Sequence, residues 1–93
     1  MKVIRYEEVA DVSSTYPYIE LFFEGENNPF MEIGISDDKS LYFRTYPNEN
    51  TIDLSLESWE RILETANSFH VEALKNEEAF EDFLKRESDS SND

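Results

Sequence analysis

His70 is the only imidazole in the chain, and no cysteine accompanies it. Disulfides, thiolate metal sites and a cysteine nucleophile are therefore excluded, which fits a reducing compartment. His70 follows Phe69 at the end of an amphipathic run and has no nucleophile or second base at a working spacing. It reads as a half-exposed histidine near a helix end. Asp37-Asp38 offers two carboxylates to a cation, but the run lacks the alternating acidic ladder and the terminal bidentate glutamate of a calcium loop, so it reads as a turn. Gly25 and Gly34 stand alone, without the glycine-rich loop that cradles phosphate. Gly34 inside a strand pattern marks a bulge or a close approach of another chain. These residues predict a protein that is not an enzyme and needs no metal or cofactor.

What the residue types do support is recognition. In the stretch PYIELFFE, Tyr18, Glu20, Phe22 and Glu24 fall on one side of an extended chain and Ile19, Leu21 and Phe23 on the other. The same alternation sets Phe30, Glu32 and Gly34 against Met31, Ile33 and Ile35. It also sets Tyr42, Arg44 and Tyr46 against Leu41, Phe43 and Thr45. If helices cover the aliphatic side, the other side carries Tyr18, Glu20, Phe22, Glu24, Glu32, Tyr42, Arg44 and Tyr46 as candidate partner-binding residues. Aromatics and arginine suit the centre of a protein interface, while carboxylates select a basic partner and speed encounter. The competing reading is that cross-strand aromatic pairs only stabilise the sheet, or that the N-terminal segment or the last helix covers them. The acidic residues of the helical region, Glu57, Glu60, Glu64, Glu77, Glu78, Glu81 and Asp82, read as a solvated face.

The elements that must position these residues follow from the same periodicity. Four alternating segments are expected, over 2–6, 17–24, 30–36 and 41–46, separated by turn chemistry at Gly25 to Pro29, at Asp37 to Lys39 and after Tyr46. The period then lengthens. Ser55 is placed as an N-cap, Glu57 sits in the positive first turn, and Trp59, Ile62, Leu63, Ala66 and Phe69 recur at helical spacing. Helix is expected over 56–86, broken once near Asn76, with one long helix as the alternative. The core is expected to pack Ile19, Leu21, Phe23, Met31, Ile33, Ile35, Leu41 and Phe43 against the five helix residues just named. Strands first and helices last make this an α+β fold: an antiparallel β-meander of about four to five strands, then one broken or two α-helices on one sheet face. Residues 1–86 form the single domain, and 87–93 a flexible acidic C-terminal tail.

Composition bounds the partners. The chain has 93 residues, 39% of them hydrophobic, which is enough for one modest core. It carries 22 acidic residues against 8 basic ones, a formal net charge of −14. That disfavours direct contact with nucleic acid or an anionic membrane and favours a basic protein partner. No run approaches the length of a membrane helix, and the N-terminus lacks the apolar stretch of a signal peptide, so a cytoplasmic location is expected.

The stretch NPFMEIGISDDKSLYFRTYP followed by IDLSLESWERILETANSF resembles the small acidic immunity proteins of bacterial polymorphic toxin and contact-dependent growth inhibition systems. The likeness is one of layout over about residues 17–86, and such proteins share no invariant motif that would assign binding residues. The resemblance implies a non-catalytic inhibitor, monomer or homodimer, that binds a cognate toxin domain in the cytoplasm. Many such toxins are nucleases, whose active sites are cationic because they hold phosphate. Two other readings stand beside it: a nucleic-acid mimic of anti-restriction or anti-CRISPR type, and a structural or regulatory homodimer sealed by the aromatic face.

Overall fold

A computed structural model describes the backbone of residues 3–90 and the side chains of residues 3–86. It contains strands β1 (Ile4–Val9), β2 (Tyr18–Phe23), β3 (Met31–Ile35) and β4 (Leu41–Thr45), then one helix, α1 (Leu56–Ser90). The strands form one antiparallel sheet in the order β1-β2-β3-β4, a simple meander. The α+β architecture is thus the one that the alternation and the change of period imply.

Each turn has a local cause. Gly25 takes φ 85° where β2 reverses, a left-handed conformation that glycine adopts without penalty. The Glu26 amide closes that turn on the Phe23 carbonyl at 3.0 Å. Between β3 and β4, Ser36 and Ser40 bracket a three-residue loop whose last residue, Lys39, has φ 71°. Asp38 accepts hydrogen bonds there from the Ser36 hydroxyl and the Ser40 amide, and these hold its carboxyl below the usual range. Its oxygens serve the turn. From the helix, a His70 ring nitrogen meets the Lys39 carbonyl oxygen at 2.7 Å, joining α1 to this hairpin.

Strand β1 reaches Val9 because β2 pairs with it over six residues, from Ile4 opposite Phe23 to Val9 opposite Tyr18. The 2–6 segment expected from alternation stops short because Glu7 and Glu8 break the pattern, and an edge strand tolerates carboxylates that a central one would not. Lys2 lies outside the described residues.

Ser55 is the N-cap: its hydroxyl oxygen accepts the Ser58 amide at 3.1 Å, and its carbonyl accepts that of Trp59 at 2.9 Å. The helix then runs through Asn67, Ser68 and Asn76 without a break. These residues cost only a few tenths of a kcal/mol each in a helix, and neither proline nor glycine interrupts the run. The tail boundary at 87 falls within the helical backbone, and residues 91–93 lie outside the described residues.

Ile62, Ala66, Phe69 and Ala73 form the ridge of α1 that seals the core over Ile19, Leu21, Phe23, Met31, Ile33 and Ile35. Trp59, Leu63 and Phe43, expected in the core, lie at its rim and remain over a third exposed. The ridge points 62, 66, 69 and 73 inward, so 59 and 63 turn toward the flank, where the Trp59 ring meets Phe43 of edge strand β4 at 6.2 Å. Phe30 departs in the other direction. It sits in a bend before β3, where strand alternation does not apply, and stacks on Phe23 at 4.1 Å inside the core.

At ~1.5 Å per residue α1 is about 52 Å long, whereas six-residue strands span roughly 20 Å. The molecule accordingly measures 61 × 23 × 22 Å, and the C-terminal half of the helix runs past the sheet. Among the described residues no helix is long and apolar enough to cross a membrane.

Candidate functional site

The sheet face away from α1 is built by register. Glu7 lies opposite Glu20, Glu20 opposite Glu32, and Glu32 opposite Arg44, so three carboxylates and a guanidinium cross the sheet in one row. Adjacent strands lie about 4.8 Å apart, close enough for like charges to repel unless they are engaged. Both ends of the row are engaged. Arg5 pairs with Glu7 at 3.3 Å, and Arg44 reaches Glu32 at 3.5 Å.

Glu32 is the organising residue. It is only 7% exposed, although the helix covers the other face. The Tyr42 hydroxyl donates to its Oε2 and the Tyr46 hydroxyl to its Oε1, each at 2.6 Å. Both carboxylate oxygens are therefore occupied by short, charge-assisted bonds that fix the two rings. Arg44 adds a stacking contact, its guanidinium carbon lying 5.0 Å from the centre of the Tyr42 ring. Gly34 makes the arrangement sterically possible. A Cβ at that position would lie 2.2 Å from Tyr42 Cζ, inside the space the ring occupies. Here glycine serves for room and not for backbone freedom.

The tyrosines stay protonated. The hydrogen bond to Glu32, then burial, pushes the Tyr46 phenol up to about 12. Burial, then the same carboxylate, raises that of Tyr42. Tyr18 is raised by desolvation and by the charges of Glu20, Asp11 and Glu32. All three are neutral hydrogen-bond donors at physiological pH.

No protein family, curated protein or solved structure matches this chain. The geometry of the face must therefore carry the functional argument.

Of the candidate residues, Tyr18, Glu20, Tyr42, Arg44 and Tyr46 are partly or fully accessible on this one face. Phe22 shares the face but is buried, with the Arg5 guanidinium 4.4 Å above its ring, so it supports the surface from beneath. Glu32 likewise organises its neighbours and offers no free oxygen. Glu24 is exposed just beyond the end of β2, in the turn and outside the network. Arg5, Glu7 and Gly34 were not among the candidates. The pairing of β1 with β2 sets Arg5 opposite Phe22 and brings its guanidinium over that ring. Among the described residues no three His, Cys, Asp or Glu side chains gather into a metal-binding group. The arrangement is an aromatic and acidic surface whose two tyrosine hydroxyls are held by one buried carboxylate.

Proposed function

We propose that this protein is an immunity-type inhibitor that binds and neutralises a cognate toxin domain with a basic surface, acting in the cytoplasm. The observation that carries the reading is the buried Glu32, which locks Tyr42 and Tyr46 on a sheet face that no helix covers. Pre-ordered tyrosines lose little conformational entropy on docking, which is how a small patch gains affinity. Glu20 and the −14 charge supply attraction toward a cationic partner, such as a nuclease site shaped to hold phosphate.

The row Glu7, Glu20 and Glu32 also favours a second reading, mimicry of a nucleic-acid backbone. It is the weaker one, because both Glu32 oxygens are engaged and Arg44 ends the row. The test is co-purification to identify the bound protein, followed by protection of cells that express it as a toxin. A folded triple variant, Tyr18→Ala with Tyr42→Ala and Tyr46→Ala, is expected to lose both protection and co-purification with the toxin domain. Full protection by that variant overturns the reading. Displacement of DNA or RNA from a binding protein, unaffected by the tyrosine changes, assigns the mimic instead. Toxin association is expected to slow steeply from low to physiological salt.

A further inference from the structure

We propose that a groove on the helix side of the sheet, together with the helix end that prolongs it, docks a basic amphipathic segment of a protein. The groove encloses about 760 Å³ between α1, β1 and the residues leading into β2. Its floor is apolar, formed by Tyr6, Tyr16, Ile19, Phe69 and Ala73. Four carboxylates, Glu8, Glu64, Glu72 and Glu77, line it. None of the four makes an ion pair or side-chain hydrogen bond with another described residue; the ion pairs are Arg5–Glu7, Arg44–Glu32 and Arg61–Glu57. Charge complementarity therefore names the occupant as a cation-bearing chain.

The helix end adds the apolar half of the specificity. Phe80 continues the ridge of Ile62, Phe69 and Ala73 by whole turns, past Asn76 and Glu77 at the groove's end. Beyond the sheet the apolar side chains of the helix are half exposed: Phe80 is 55% exposed, Phe83 56% and Leu84 50%. The strip thus runs from the groove floor, across Asn76 and Glu77, to Phe80 and Phe83, edged by carboxylates. An oligocation alone matches only half of it. A segment with lysines or arginines on one side and leucine-like anchors on the other matches both, the helix-in-groove mode of peptide recognition. The proposal is independent of the sheet-face reading, since Tyr6, Glu8 and Ile19 project to the face opposite Glu20 and Tyr42.

The experiment is fluorescence anisotropy of a labelled peptide, three repeats of KLLK, titrated with the full chain, with an ELLE repeat and oligolysine of equal length as comparators. The KLLK peptide is expected to bind at least tenfold more tightly than either. Combining Glu72→Gln with Glu77→Gln is expected to weaken it about tenfold, and Phe80→Ser about fivefold, a loss of roughly 1 kcal/mol. Glu26→Gln with Glu49→Gln, which removes the same charge from loops elsewhere, is expected to leave binding unchanged. Circular dichroism checks that each variant folds. Equal loss in the loop variant, equal binding of oligolysine, or no binding of KLLK overturns the proposal. A dimer in light scattering that Phe80→Ser converts to monomer also overturns it, because the strip then belongs to a second copy.

Discussion

The two faces of the sheet use the same residue types in opposite ways. On the open face, Glu32 is buried and its carboxylate is fully engaged by Tyr42, Tyr46 and Arg44. On the helix side, Glu8, Glu64, Glu72 and Glu77 line a groove with no such partners, and the phenylalanines beyond it remain half exposed. A carboxylate that accepts hydrogen bonds from its neighbours rigidifies a surface. One without partners leaves its field available to a cation from outside. The open face is therefore ordered by its own hydrogen bonds, whereas the groove presents carboxylates without such bonds.

Substitutions can break this contrast. The largest effect is expected from Phe69→Ala, which empties core volume beneath the helix and should lower the unfolding free energy by about 3 to 4 kcal/mol in urea melts. Glu32→Ala comes next. It leaves two phenols and a guanidinium without their acceptor and should cost about 2 to 3 kcal/mol. Gly34→Ala acts on the same network by expelling the Tyr42 ring, so its cost, about 1 to 2 kcal/mol, should largely vanish in a Glu32→Ala background. Full additivity of the two would show that Gly34 does not act through the Tyr42 contact.

A smaller effect is read from pH. Tyr46 holds its proton more tightly in the folded state than at its ordinary value of 10.0, so that stabilisation is complete below pH 10 and is lost as pH rises through about 12. Tyr46→Phe should flatten this part of the stability profile, and an unchanged slope would show that Tyr46 is not the group that titrates. The smallest effect is expected from Phe80→Ala. This residue lies on the same helical ridge as Phe69 but beyond the sheet, and its loss should shift stability by no more than about 0.5 kcal/mol. A cost approaching that of Phe69→Ala would show that the helix end is packed in solution and that the contrast between groove and open face is overstated.

Much of the site was legible locally. Alternation placed Tyr18, Glu20, Glu32, Tyr42 and Arg44 on one face, because the pleat fixes direction residue by residue. Which of these would be buried was not legible. Glu20 and Glu32 look alike in sequence, but only Glu32 has tyrosines on β4 and just beyond it to engage both its oxygens. Phe22 and Phe30, both expected on the open face, are both buried, for different reasons. Phe22 is sealed under Arg5, and Phe30 swings inward where the strand geometry has not yet begun.

By itself, then, the sequence determined the order of elements, the Ser55 cap, the Asp37 to Lys39 turn and the sidedness of β2, β3 and β4. All of these depend on neighbours within a few positions. Tertiary structure decided the rotation that leaves Trp59 and Leu63 at the rim, the carboxylate that became a buried acceptor, and the point where α1 outruns the sheet. Those outcomes depend on register between distant strands and on the finite width of the sheet, and a periodic pattern encodes neither.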